Sequence, residues 1–217
     1  DQKDELSKSN KVKVEYHGAN LAKAQETRQL IKQTIDKLGR IDILVNNAGV
    51  QHKDRIENFP DAKWENLIAI NLSAAFYTTK AALPIMKEQG WGRIINIASA
   101  HGLRASVDKA GYVAAKHGLV GLTKVVALEN AESHITCNAI CPGWVLTPLV
   151  QQQIDNWAEE EEISVQEAET RLLSEKQPSL RFTQPEEVGE MVLYLCSDAA
   201  RNVTGTSLSI DGGWTAR

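Results

Sequence analysis

The chain has 217 residues, 42% hydrophobic and 24% charged, with a formal net charge of −4. That length fits one domain with an ample core, the composition is that of a globular rather than a disordered protein, and the mild acidity offers no basic footprint for nucleic acid. No stretch approaches the roughly 18 apolar residues of a membrane span, and the opening Asp1-Gln2-Lys3-Asp4-Glu5 does not read as a signal peptide. Cys137, Cys141 and Cys196 are odd in number and sit among apolar neighbours. No His/Cys pair follows Cys137 and Cys141 to complete a metal set, so no metal is expected, and core thiols in a reducing cytoplasm are.

In chain order, Lys11 to Tyr16 alternates polar and apolar residues and predicts a strand. Leu21 to Leu38 has helical periodicity and stops at Gly39. Ile41 to Val45 is a short apolar strand ending in Asn46-Asn47-Ala48-Gly49. Asp61 to Glu88 predicts one long helix, with Asn71 inside it, where an asparagine is locally unfavourable. Arg93 to Ala98 is a β-branched run of buried-strand type, followed by a loop and a helix from near Asp108 to Glu129. His134 to Ile140 predicts the next strand, closed by Cys141-Pro142-Gly143. Thr147 to Pro178 is polar, helical and acidic, and its Glu159 to Glu162 run reads as a solvated face of a substrate lid. A helix over Pro185 to Cys196 and a strand over Thr206 to Ile210 complete the series. Strands alternating with helices predict a single-domain α/β fold, a doubly wound and mostly parallel sheet of Rossmann type.

The centre of the chain carries the chemistry. Ser99 falls at the carboxyl end of a predicted parallel strand, where open α/β sheets place their ligands. Tyr112 and Lys116 lie one turn apart on one helix face. A phenol beside an ammonium, facing a hydroxyl, makes a plausible proton-transfer site, because the cation favours phenolate.

Ser99, Tyr112 and Lys116 at this spacing, with Asn46-Asn47-Ala48-Gly49 upstream and Pro142-Gly143 downstream, resemble the short-chain dehydrogenase/reductase family over nearly the whole chain. The resemblance implies a hydride transfer in which Tyr112 is the acid/base, Lys116 lowers its pKa and binds the nicotinamide ribose, and Ser99 positions the carbinol oxygen. It implies that Asn71 kinks its helix and holds a water leading from Lys116 to solvent. Asn47, Ala48 and Gly49 would lie against the adenosine side of the cofactor, with Asn20 and Leu21 near the adenine. Pro142, Gly143, Val145 and Thr147 match the Pro-Gly-x-Val-x-Thr segment that faces the carboxamide. No Gly-x-x-x-Gly-x-Gly occurs before Asn46, so the phosphate-cradling first βαβ unit of the family is expected to be missing here.

Within the family, a further set narrows the substrate. Gln51, His101, Lys109 and Gln153 are donors that would suit a small carboxylate. Together with Trp144, Trp214 and the Ser174-Glu175-Lys176-Gln177-Pro178-Ser179 segment, they resemble the bacterial dehydrogenases of D-3-hydroxybutyrate. That resemblance implies NAD as cofactor, a small hydroxy acid as substrate, and a homotetramer, the Tyr112–Glu129 helix burying one face against another subunit. Two alternatives stand beside it. One is an NADPH-dependent 3-oxoacyl thioester reductase, which needs no carboxylate site. The other is a catalytically dead subunit or binding module, which the missing phosphate turn would favour.

Overall fold

The computed structural model describes residues 2–216. Four parallel strands, β1 (Ile43–Asn46), β2 (Gly92–Ile97), β3 (Ile135–Pro142) and β4 (Ser207–Ile210), lie in the order β1-β2-β3-β4. Registers such as Ile94 with Cys137 and Ile140 with Leu208 fix their pairing. Both faces of such a sheet must be covered, so β3 is buried throughout and β2 up to Ile97 at its end.

Helices α1 (Gln2–Asn10) and α2 (Ala24–Leu38) precede β1. α3 (Asp61–Ile68) runs through a π-helical turn, Ala69–Ser73, into α4 (Ala74–Gln89). The predicted long helix is therefore continuous, and Asn71 sits in its one irregular turn. α5 (Ala110–Glu129) connects β2 to β3. α6 (Pro148–Glu160), α7 (Val165–Ser174) and α8 (Pro185–Cys196) lie between β3 and β4. The polar 147–178 stretch is thus two helices, each opened by a hydroxyl cap, Thr147 or Ser164.

Alternation along β2 separates two cores. Ile94 packs with Ile31 of α2, Met86 of α4 and Val126 of α5. Ile95 points the other way and packs with Ile140, Leu195 and Ala200. Each fully buried aliphatic side chain contributes about 1.5–3 kcal/mol. Cys137 and Cys141 belong to the core, and burial pushes their thiols up to about 12 and about 11.

The strand predicted over Lys11 to Tyr16 does not form. Val12 and Tyr16 stand 53% and 75% exposed, and among the described residues no strand lies beside them. A strand without a neighbour leaves its ladder groups unpaired, so alternation alone does not make one. Near it, the outer edge of β1 is open, with Ile43 and Val45 more than 40% exposed.

Candidate active site

The site lies at the carboxyl ends of β1, β2 and β3, in a cleft of about 580 Å³. Strand β2 ends at Ile97, so Ser99 emerges at its tip in extended conformation. The Ser99 Oγ accepts the backbone N–H of His101 at 3.1 Å, which holds the hydroxyl at the mouth of a tight turn. Tyr112 and Lys116 come from the first two turns of α5 and face the same cleft. Lys116 Nζ donates to the carbonyl of Ile97 at 2.7 Å and lies 5.6 Å from the Tyr112 ring centre. Burial brings this lysine down to about 8.

The phenol departs from the sequence expectation. Tyr112 is raised above its usual pKa, because desolvation outweighs the hydrogen bond with Ser99 that opposes it. The ammonium is engaged with Ile97, and burial penalises both charged forms.

Asn71 also takes a more specific place than expected. Its side chain clamps residue 50 from both sides: Oδ1 accepts the Val50 N–H and Nδ2 donates to the Val50 carbonyl, each at 2.8 Å. The π-turn supplies the room for this, and the clamp fixes the loop that carries Gly49 and Gln51. At Gly49 a Cβ would stand 3.4 Å from Asn71 Oδ1 and 3.8 Å from Lys116 Nζ, so the loop runs in van der Waals contact with both side chains.

The donor set fits a nicotinamide dinucleotide. Lys116 spends one N–H on Ile97, which leaves donors on the ammonium for a ligand hydroxyl. Asn47, Gly49, Pro142, Gly143, Val145 and Thr147 line the cleft together. Asn47 also lines a neighbouring cavity with Leu21, Ala48 and Asn46, which carries the groove along the strand ends. Asn20 is tied into its own turn, its Oδ1 accepting the Ala22 N–H at 3.0 Å. Asn46 faces inward, bonding Asn96 at 2.8 Å and Thr78 at 2.7 Å, and braces β1 to β2.

Beside the cleft, reaching it through Trp144 and Tyr112, stands a second group of residues. The His101 ring lies 5.8 Å from that of Tyr112 and 5.0 Å from that of Trp214, both edge-on. Its Nε2 meets Ser106 Oγ at 3.0 Å, and burial with Lys109 nearby drives it down to about 3, so it is neutral. Lys109 is buried, 5.8 Å from the Trp144 ring centre, and is lowered to about 8 by desolvation and then by Lys176 and Lys53. Among the described residues no carboxylate pairs with it. Gln51 and Trp144 line the cleft. Gln153 stands exposed on α6, outside the cleft lining.

Sequence reasoning missed Lys176 and Gln177 as individuals, although it singled out their segment. Gln177 is wholly buried. Its Oε1 accepts the Trp144 N–H at 2.8 Å and its Nε2 donates to the Arg181 carbonyl. Lys176 Nζ lies 5.5 Å from the Trp214 ring centre.

Comparison with known proteins agrees with this geometry. A family model described as Enoyl-(Acyl carrier protein) reductase matches residues 1–215. The D-beta-hydroxybutyrate dehydrogenase of Cupriavidus necator is 54% identical over 206 residues, 95% of this chain and 80% of that protein. The enzyme of the same name from Rhizobium meliloti is 50% identical, over 99% of this chain and 83% of that protein. A solved actinorhodin polyketide ketoreductase with NADPH superposes with a TM-score of 0.88 at 36% identity, covering 98% of this chain and 82% of that one. With a serine, a tyrosine and a lysine gathered at the strand ends of such a sheet, the chain belongs to the short-chain dehydrogenase/reductase family and is an oxidoreductase.

Proposed function

We propose that the protein oxidises D-3-hydroxybutyrate to acetoacetate, reversibly, with NAD. The observation that carries this reading is the cationic group beside the cleft: Lys109 is buried over the ring of Trp144, which lines the cleft, near a neutral His101 and with no carboxylate within ion-pair distance among the described residues. A buried ammonium of that kind is relieved by a ligand anion. The names of the relatives at 54% and 50% identity support the same substrate. A thioester carries no carboxylate for Lys109, so the reductase reading leaves that charge unexplained.

In this reading the substrate's hydroxyl lies between Ser99 and Tyr112, and its carboxylate reaches Lys109, with Gln51 and His101 as further donors. Tyr112 takes the hydroxyl proton as the carbon–oxygen double bond forms, and the bound nicotinamide supplies the acceptor for the hydride. Lys116, 5.6 Å from the ring centre, stabilises the phenolate that precedes this step. Its two remaining N–H groups serve the ribose. Asn71 acts on this centre through the Val50 clamp. Trp144 and Trp214 close the walls against water. Gln153 would join the carboxylate site when α6 and α7 fold over the cleft as a lid.

Asn47, Ala48 and Gly49 would receive the adenosine half, with Leu21 beside them and Asn20 setting the turn that carries Leu21. Pro142, Gly143, Val145 and Thr147 would face the carboxamide. The open edge of β1 would accept a βαβ unit bearing the phosphate-binding turn. A homotetramer is our reading of the outer face of α4 and α5, where Phe76, Val125 and Leu128 stand exposed. Among the described residues no helix is long and apolar enough to cross a membrane, and three free thiols suit a reducing cytoplasm.

The test is NADH formation from D-3-hydroxybutyrate, run beside NADPH oxidation with a 3-oxoacyl thioester. The account expects the first to dominate. Thioester reduction alone would move the protein to the other reading, and no turnover with either would make it a binding module.

A further inference from the structure

We propose that Lys176 is a second cation for the substrate's carboxylate, presented to Lys109 by the segment that follows α7. The inference rests on the carboxylate reading above and extends it to a residue outside the motifs.

Lys176 is half-buried at the end of a firmly held turn. Its own N–H and that of Gln177 both donate to the Leu173 carbonyl, at 3.1 and 2.7 Å. Gln177 then grips the Trp144 N–H, while Ser179 N–H donates to the Gly212 carbonyl at 3.0 Å. The residues that directly follow Lys176 are thus fastened to both tryptophan-bearing segments, the one after β3 and the one after β4. From there the side chain reaches over Trp214, whose ring lies against His101.

The charge pattern makes this placement informative. Of the charged neighbours acting on Lys109, Lys176 has the largest effect, followed by Lys53, with Glu175 opposing them. The same two lysines, Lys109 and Lys176, are the charges that weigh most on His101. Among the described residues neither Lys109 nor Lys176 has a carboxylate within ion-pair distance, whereas Lys13, Lys23 and Lys37 on the surface each have one. Two ammonium groups held near one another beside aromatic walls, with Glu175 as the one acidic neighbour acting on Lys109 and no carboxylate within ion-pair distance, repel until an anion sits between them. A bound carboxylate has two oxygens and can accept from both. Its charge would then tie the segment after α7 to the turn carrying Lys109, so that acids seat this segment and neutral substrates do not.

The experiment compares wild type, Lys176→Met and Lys176→Arg, each with NAD, by calorimetric titration of acetate and by KM and kcat for D-3-hydroxybutyrate and its methyl ester. Because Lys176 is half-exposed, all three should fold, which circular dichroism checks. The expected result is acetate affinity weakened and acid KM raised about five- to tenfold in Lys176→Met, the size of one charge-assisted contact. The ester KM, the NAD KM and kcat should hold within about twofold, and arginine should restore most of the acid KM. Unchanged acetate binding and acid KM would overturn the proposal, as would equal losses for acid and ester. If wild type itself neither binds acetate nor oxidises the acid, the carboxylate reading beneath the proposal fails.

Discussion

The two sides of the cleft satisfy their polar groups differently. On the proton-transfer side every group has a protein partner: Ser99 holds the His101 N–H, Lys116 holds Ile97, and Asn71 holds Val50 twice. On the carboxylate side the cations Lys109 and Lys176 have aromatic walls and, among the described residues, no carboxylate within ion-pair distance. The first side is complete before ligand arrives, as preorganised chemistry requires. The second is left electrostatically unfinished, and its unfinished charge is what recognises the ligand. Stability and function therefore pull together on one side and apart on the other.

The sharpest way to break this contrast is at the phenol. Tyr112→Phe should lower kcat by about 10²–10⁴, the range of a lost general acid/base, with circular dichroism and substrate KM nearly unchanged. Substantial remaining turnover would remove Tyr112 from the proton's path. On the other side, Lys109→Met should raise KM for D-3-hydroxybutyrate about 10–100-fold, as for a half-desolvated charge contact. The same variant should leave Tm unchanged or raise it by about 2–4 °C, since a buried cation without a partner is removed. A clear fall in Tm would mean that Lys109 is held by the protein and not waiting for a ligand.

The clamp tests the completed side by another route. Asn71→Ala strands both Val50 backbone groups, so stability should fall by about 1–3 kcal/mol in urea unfolding, and kcat should fall with it while the acid-to-ester KM ratio stays fixed. A change in that ratio would place Asn71 on the carboxylate side instead.

The smallest effect is in pH. Lys109 titrates near 8 in the fold against a usual 10.5, so its charge, and with it acid binding, should fade as pH rises through about 8. KM for the acid should climb there while KM for the ester stays flat. The linkage sign follows: between about 8 and 10.5 the unfolded chain holds more protons than the fold at this position, so Lys109 makes stability rise with pH across that window. Lys116, also brought to about 8, acts in the same direction.

Much of the proton-transfer side was legible in the sequence because it is local. Ser99 ends an apolar run, and Tyr112 and Lys116 share a helix face by spacing alone. The strand and helix series held for the same reason, since β2 and β3 are short, Ile-containing runs buried on both faces of the sheet. Lys11 to Tyr16 failed because alternation says which residues would share a face and nothing about whether a neighbouring strand is there to pair. The upward shift of Tyr112 was invisible because the i, i+4 pattern reports the cation and not the burial of both groups. Lys176 was missed for a third reason. A lysine in a polar segment looks solvated until tertiary structure carries it to Trp214, and only the fixed turn around Gln177 does that.

The most direct measurement is kcat/KM for D-3-hydroxybutyrate relative to its methyl ester at pH 7, in wild type and in Lys109→Met, with NAD saturating. The account predicts that wild type strongly prefers the acid and that the variant loses most of that preference through KM, at a kcat close to wild type. An acid preference that survives the loss of Lys109, or a wild type indifferent to the carboxylate, would contradict it.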